Sequence, residues 1–174
     1  LSTTSDAGIS FEVVQSNRIE PRDTARVQAL YLEVSSADLG TLILGNADDD
    51  APGLMDGALG ENNDIESTGM SAGNAFRTPL GGGGTGVTWM SPSLGGLKVG
   101  LSYFPSDDED SSAAITYSAG GLSAYFGSNQ DAQNFGVKGS IAGFTVAIGQ
   151  RKNDNSTEKA SDFAVKYSLD NGIT

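Results

Sequence analysis

One long acidic stretch interrupts a sequence that otherwise consists of short strand-like segments, and it limits the folds open to the chain. Residues Leu44 to Leu80 read LGNADDDAPGLMDGALGENNDIESTGMSAGNAFRTPL, with seven acids between Ala47 and Glu66 and no sustained apolar period. A run of four glycines, Gly81 to Gly84, follows. In a compact domain, an insertion of this length without secondary structure of its own is usually a functional loop. We therefore interpret residues 47–84 as one loop inserted between the strands of a β domain.

The sequence contains neither Cys nor His, which excludes several kinds of chemistry. Without Cys there is no disulfide framework and no zinc–thiolate site. The absence of both residue types also removes the commonest general base, the commonest metal ligand and the best nucleophile. The carboxylates, lysines, tyrosines and serines that remain show no recognisable catalytic spacing. We predict that the protein is not an enzyme and requires no cofactor.

The negative charge of the chain is concentrated in two places. The formal net charge is −12, and half of the 22 acids lie either in the insertion or in the run Asp107 to Asp110. A nucleic-acid-binding protein needs a basic surface that displaces counterions from phosphates. We therefore expect no nucleic-acid partner.

Alternating apolar and polar residues on both sides of the insertion predict about ten short strands. Their connections alternate between long polar loops and short glycine-rich turns, which is typical of an antiparallel up-and-down meander. A Greek-key sandwich would break this alternation, because one of its strands returns by a long connection. The predicted strands are 8–15, 25–34, 41–45, 87–91, 97–104, 113–118, 122–128, 134–140, 144–150 and 161–168.

Aromatic residues share the aliphatic face of these strands and lie near the strand ends. Two rows of aromatic side chains with a band of Val, Ile, Leu and Ala between them suit a β-barrel that faces lipid, since aromatic rings prefer the membrane interface. A soluble sandwich would place its aromatic side chains at mid-strand, in the core. No window is long and apolar enough for a transmembrane helix. The seven aromatic residues that follow this pattern, of thirteen in the chain, are Tyr103, Tyr117, Phe126, Phe135, Phe144, Phe163 and Tyr167.

The opposite face of the strands is polar and carries Lys98, Lys138 and Lys166 among Gly, Ser and Thr residues. Two interpretations of this face remain open. In a soluble barrel the lysines would lie outside, in solvent. In a membrane barrel they would face a water-filled lumen, with the acids of the insertion opposite them.

Several motifs together resemble the general porins of the bacterial outer membrane, most closely those of purple and other alphaproteobacteria. Residues 26–59 (RVQALYLEVSSADLGTLILGNADDDAPGLMDGAL) are similar to the porin hairpin that leads into the constriction loop. Gly86 to Trp89 and the hairpin sequence GGLKVGLSYF are similar to downstream wall strands. The resemblance covers most of the chain. The sequence departs from the family at Asn46, where many members carry Arg.

The resemblance implies a sixteen-stranded transmembrane barrel in the bacterial outer membrane, with one long loop folded into the lumen. Residues 1–174 would form part of that single barrel domain, and we expect them to be an internal piece of a longer protein. The expected partners are outer-membrane lipid and lipopolysaccharide, two further copies in a homotrimer, and small polar solutes in transit.

Residues 47–84 would form the acidic constriction loop, facing basic residues of the wall. The candidate acids are Asp48, Asp49, Asp50, Asp56, Glu61, Asp64 and Glu66, and the candidate basic wall residues are Arg22, Arg26, Lys98, Lys138 and Lys166. Facing rows of charge in a narrow aqueous section produce a transverse field that favours polar solutes. The expected function is general diffusion of small hydrophilic solutes and ions, with a weak preference for cations because acids are in excess.

Two further possibilities concern calcium and a different class of protein. Asp107, Asp108 and Asp110 offer the hard oxygen ligands that Ca²⁺ prefers, although such a loop can also be simply solvated. A secreted or surface β-sandwich, an adhesin-like module that binds calcium or carbohydrate, would also explain the acids and the missing Cys. It would not explain the two rows of aromatic residues.

Overall fold

A computed structural model describes residues 1–18, 26–47, 49–55, 84–105, 110–153 and 159–167. These residues form eleven strands and one short helix. The elements are β1 Ser2–Thr4, β2 Ser10–Arg18, β3 Arg26–Ser36, β4 Gly40–Ala47, α1 Ala51–Met55, β5 Gly84–Met90, β6 Leu97–Phe104, β7 Asp110–Ala119, β8 Leu122–Ser128, β9 Ala132–Ile141, β10 Phe144–Asn153 and β11 Lys159–Tyr167.

All eleven strands belong to one sheet, and their order in the sheet is their order in the chain. Each strand is antiparallel to the next wherever their register is given, from β1 with β2 to β10 with β11. This confirms the predicted all-β, up-and-down meander and is not the Greek-key arrangement of a sandwich. Within the described ranges, β1 and β11 are the two edges of the sheet.

Two of the short turns owe their shape to residues with positive φ. Gly120 and Gly121 join β7 to β8 with φ of 59° and 82°, and Ala142 and Gly143 join β9 to β10 with φ of 51° and 82°. Positive φ at both central positions is typical of the type I′ turn, one of the two-residue hairpin loops whose twist matches that of the strands. Glycine adopts this conformation freely. These turns fix the register of the two hairpins.

The sheet has two chemically different faces, because successive side chains of a strand point to opposite sides. We call the face on which α1 lies the inner face; it bears small and polar residues such as Ser102, Ala114 and Asn134, all buried. The outer face bears large apolar side chains that are exposed, among them Leu101, Ile115 and Phe126. A soluble protein would bury these apolar residues, whereas here the polar side is the buried one.

The sequence predicted the strands of the wall well and missed two elements, the short strand β1 and the helix α1. β6 and β8 have the predicted bounds, while other strands extend a few residues further, as β7 and β9 do. Leu30, Tyr31 and Leu32 of β3 are consecutive, so alternation in the sequence does not determine which face they lie on, and the structure places Leu30 on the outer face. None of the helical segments in the described ranges is both long enough and apolar enough to cross a bilayer.

Candidate functional site

The beginning of the acidic insertion lies on the inner face, where α1 contacts β5, β6, β7 and β8. Asp50 precedes the helix and caps it, since its Oδ1 accepts a hydrogen bond of 2.9 Å from the N–H of Gly53. A capping carboxylate satisfies one of the amide groups that a helix start leaves unpaired. The N–H of Leu54 then donates to the carbonyl oxygen of Asp50 at 2.9 Å, which closes the single turn.

A hydroxyl of the wall holds the first residue of the helix. The N–H of Ala51 donates to Oγ of Ser102 at 2.7 Å, and that oxygen lies 2.7 Å from Oγ1 of Thr88. Ser102 and Thr88 are register partners on β6 and β5, and both are buried. The N–H of Ala51, like that of Gly53, has no partner within the helix, and it is paired with the wall rather than with water. Ala51 of the loop, Ser102 of β6 and Thr88 of β5 are thus linked by two consecutive hydrogen bonds.

Gly100 allows the helix to lie close to β6. A Cβ atom at this position would clash with Sδ of Met55 and would lie 2.9 Å from Cβ of Ala51. Met55 is buried against Ala114 and Tyr125, with Met90 packed beside them. Close approach of a helix to a strand requires such a residue without a side chain. The glycine thus creates the space that Ala51 and Met55 occupy.

Tyr125 makes a further contact between the wall and the helix. Its hydroxyl donates to the carbonyl oxygen of Pro52 at 3.3 Å, and its ring is buried on the inner face. The neighbouring Gly127 makes room for this hydroxyl, because a Cβ there would clash with it. Tyr125 is thus the aromatic residue of β8 that faces inward, while Phe126 faces outward. Segment 49–55 is therefore attached to the wall at Ser102, Gly100 and Tyr125.

The carboxyl group of Asp50 is fully buried beside other acids. Burial raises its pKa, and the charges of Asp110 and Asp49 act in the same direction. The hydrogen bond from Gly53 and the nearby hydroxyl of Ser112 oppose these effects and favour the charged form. Oδ2 of Asp50 and Oγ of Ser112 nevertheless lie buried without a well-aligned hydrogen bond in the part of the chain described here. Because a buried acceptor without a donor is costly, the environment favours the protonated acid.

The structure places part of the predicted acidic set. Asp49 is half-buried and Asp50 is the buried helix cap, both at the start of the insertion. The other predicted acids, Asp48, Asp56, Glu61, Asp64 and Glu66, lie outside the described residues. Their position in the lumen, and the extent 47–84 of a constriction loop, stay predictions.

Three of the five predicted basic residues can be located on the inner face. Lys98 on β6 is exposed, and its register partner on β7 is Thr116. Lys138 on β9 and Lys166 on β11 are half-buried. Arg22 and the side chain of Arg26 lie outside what is described, although the backbone of Arg26 begins β3. The three lysines share one face, as the alternation of β6, β9 and β11 predicted.

The proposed calcium site cannot be assembled from the described residues. Asp107 and Asp108 lie outside them, and Asp110 is half-buried at the start of β7, close enough to Asp50 to influence its charge. Among the residues that the structure describes, no group of three Asp or Glu side chains is placed to share a metal ion.

Sequence reasoning missed the residues that attach the loop to the wall. Ser102, Gly100 and Tyr125 were placed on strands, but nothing local to them indicates a partner that lies, for Ser102 and Tyr125, 51 and 73 residues away. The helix start left a usable signal, since Asp50 followed closely by Pro52 is typical of a capped first turn. The pair Tyr125 and Phe126 also required one aromatic ring to face inward.

Comparisons with known proteins agree with this architecture. The family model described as Gram-negative porin matches residues 2–174. A mutant of the porin of Rhodobacter blastica has a similar solved structure, with a TM-score of 0.52, 12% sequence identity, and coverage of 98% of this chain and 78% of that one. At that identity the likeness concerns the fold alone. No curated protein sequence matches this chain.

The family match covers nearly all of the chain, and the eleven-stranded meander corresponds to part of a porin β-barrel. The outer face, which exposes apolar side chains, agrees with a wall in contact with lipid. Membership also implies a channel rather than an enzyme, and a place in the outer membrane. The chain belongs to the Gram-negative porin family.

Proposed function

We propose that this protein is a general diffusion porin, in which the acidic insertion narrows a water-filled channel used by small hydrophilic solutes and ions. The observation that carries the proposal is the position of α1 on the inner face, hydrogen-bonded through Ala51 to Ser102 of the wall. A loop attached to that face reduces the open cross-section of a barrel. The insertion continues for nearly thirty residues beyond Met55 and contains four further acids.

The outer face supports a wall that spans a membrane. All seven aromatic residues predicted to lie there are exposed, from 38% at Tyr117 to 68% at Phe163. At the short-turn end, the rings of Phe144 and Tyr167 are in contact, with their centroids 4.3 Å apart and their planes tilted by 37°. Trp89, on the same face, donates from Nε1 to the carbonyl oxygen of Leu39 in the β3–β4 turn, at 3.0 Å. Trp89 thus combines an apolar ring with a polar N–H group near the end of its strand, and such side chains are favoured at the membrane interface.

The inner face supports an aqueous lumen with a transverse field. Lys98, Lys138 and Lys166 lie on it, and the first placed acids of the insertion, Asp49 and Asp50, directly precede the helix that packs on it. Charges of opposite sign across a narrow section with low-dielectric walls align dipolar solutes and exclude apolar ones. Since acids outnumber bases by 22 to 10 in the chain, we expect a weak preference for cations.

Reconstitution in a planar lipid bilayer tests the proposal. Protein extracted in detergent should produce discrete, long-lived conductance steps, and a potassium chloride gradient should give a reversal potential of cationic sign. The preference should weaken as salt increases, because the Debye length falls from about 10 Å at 0.1 M to about 3 Å at 1 M. Folded, full-length protein that gives no steps would contradict the channel, while an anionic reversal potential would contradict only the selectivity.

The same reconstitution addresses the remaining expectations from the porin resemblance. We propose a homotrimer of sixteen-stranded barrels embedded among lipid and lipopolysaccharide. A trimeric pore should insert with three equal conductance sublevels, and the mass of the detergent-extracted assembly should correspond to three copies. Single, independent steps together with a monomeric mass would contradict this assembly.

A further inference from the structure

A cavity of about 420 Å³ lies on the inner face between α1 and the short-turn end of the wall. Leu54 and Met55 at the end of α1 border it on one side, and the β5–β6 connection, at Ser93 and Gly96, borders it on another. Strands β4 to β7 form the wall between them. The volume falls within the range of small-molecule sites, roughly 300–1,000 Å³.

The lining of this cavity combines one cation with hydroxyl-bearing and apolar side chains. Lys98 is the charged residue, and its register partner Thr116 lies beside it on β7. Met90 and Met55 provide apolar surface, and Met90 is the register partner of Gly100, on which Met55 lies. No acidic side chain is among the described residues that line the cavity. The cavity borders the C-terminal end of α1, whereas Asp50 precedes its N-terminal end, so the cavity is separate from the acids around Asp50.

We propose that this cavity is a binding subsite for small monocarboxylates with a short aliphatic chain. The Lys98 ammonium would pair with the carboxylate, the Thr116 hydroxyl would donate to it, and the thioethers of Met55 and Met90 would contact the aliphatic part. Such an anion would dwell in the channel instead of passing freely. The proposal deepens the diffusion function proposed above and rests on it for its physiological meaning.

The charge of the lining discriminates between related solutes. A single ammonium group balances one negative charge, so a second carboxylate would be buried without a partner. A zwitterion would bring its own ammonium group close to Lys98, and none of the described residues that line the cavity is an acid that could pair with it. Arginine, whose planar group suits phosphate, is absent from the described lining. Butyrate is therefore the appropriate probe, with 4-aminobutyrate and butylamine as comparison solutes of similar length.

Two measurements test the subsite. In bilayers, butyrate should reduce and interrupt the current through the wild-type channel in a concentration-dependent manner, while 4-aminobutyrate and butylamine should do so much less. In detergent, the NMR signals of butyrate should broaden on addition of the protein, which reports binding whether or not the protein conducts. Lys98→Met should raise the half-effective butyrate concentration about fivefold, the size expected for one exposed ion pair. Lys98→Arg should restore most of the effect.

Lys138→Met is the matched control, because it removes the same charge from the inner face at β9, away from the residues that line the cavity. If Lys98→Met and Lys138→Met change butyrate binding equally, general electrostatics is responsible and the subsite is overturned. It is also overturned if the wild-type channel conducts but butyrate neither broadens nor blocks. An absence of conductance in the wild type contradicts the channel function instead, and the NMR comparison of the two variants still decides the subsite.

Discussion

The backbone N–H of Ala51 donates a 2.7 Å hydrogen bond to the hydroxyl of Ser102, across 51 residues of sequence. This bond joins the first turn of the inserted loop to the middle of the barrel wall. It lies in a buried environment, where water cannot easily replace either partner. The position of segment 49–55 on the inner face therefore depends on a few identifiable contacts, and each can be removed separately.

Ser102→Ala should release the start of the loop. The change leaves the Ala51 amide without its acceptor and Thr88 without its neighbour, at a cost of about 1–3 kcal/mol. Amide exchange at Ala51 and Leu54 should accelerate about 5- to 150-fold if it proceeds by local opening. Ser140→Ala is the control, since that hydroxyl forms a similar 2.9 Å pair with Thr145 away from α1. Equal exchange in both variants would show that Ser102 does not hold the loop.

Gly100→Val should displace the helix from the wall. The new side chain would occupy the space of Met55 Sδ and Ala51 Cβ, and only movement of α1 relieves the second contact. We expect a channel that folds but has a different unit conductance and more current noise. At Gly139 of β9 an added Cβ meets nothing within 4 Å, so Gly139→Val should leave the conductance unchanged. An unaltered conductance in Gly100→Val would mean that α1 does not restrict the channel.

Asp50→Asn should remove a pH dependence from the attachment of the loop. Since the folded-state pKa of Asp50 is raised, its stabilising contribution is complete below the unfolded pKa, near 3.9, and is lost as pH rises through the folded pKa. Attachment in the wild type should therefore weaken between acidic and neutral pH. Asparagine keeps the acceptor for Gly53 N–H without the charge, so the variant should be less sensitive to pH.

The measurement for Asp50→Asn is amide exchange at Gly53 and Leu54 as a function of pH, corrected for intrinsic exchange rates. Asp38→Asn, in the exposed β3–β4 turn, is the charge-matched control and should behave like the wild type. Protection in the wild type that increases from pH 4 to pH 7 would contradict the assigned direction of the pKa shift.

Val146→Arg should destabilise the protein in a bilayer. Val146 is 40% exposed on the outer face, between the two aromatic rows, where an arginine costs about 2–4 kcal/mol near the membrane midplane. Thr145→Arg places the same residue one position earlier, on the inner face, and should cost less than about 1 kcal/mol, as surface substitutions usually do. Urea titration of folding into lipid vesicles measures both. The reverse ranking would mean that the two faces have been interchanged.

The wall could be predicted from the sequence because its signals are local. In β6, Leu97, Val99, Leu101 and Tyr103 alternate with Lys98, Gly100 and Ser102, which predicts which side chains lie on each face. Pro105 follows directly and marks the end of the strand. Paired glycines gave the β7–β8 turn in the same way. Each element of the meander is specified by its own sequence and its immediate neighbour.

The attachment of the loop could not be predicted in this way. The residues of α1, APGLM, contain a proline and a glycine and are too few to show a helical period. Ser102 resembles any other small residue of an inner face until Ala51 is placed beside it. Asp50 was predicted to be one acid in a row, and apart from the nearby Pro52 only its hydrogen bond with the N–H of Gly53 identifies it as a helix cap. These features depend on contacts between distant parts of the chain.

The order of the strands has a consequence for how such a pore can change in size. Every strand pairs with its neighbours in the chain, so a hairpin can be gained or lost at one place without altering the register of the others. Among the described strands, the main contacts of helix α1 are with β5 to β8, and these four strands follow it consecutively in the chain. The start of the loop and the strands that hold it thus form one uninterrupted stretch of the element order. Hairpin duplication elsewhere would widen the barrel during evolution while this stretch kept its geometry.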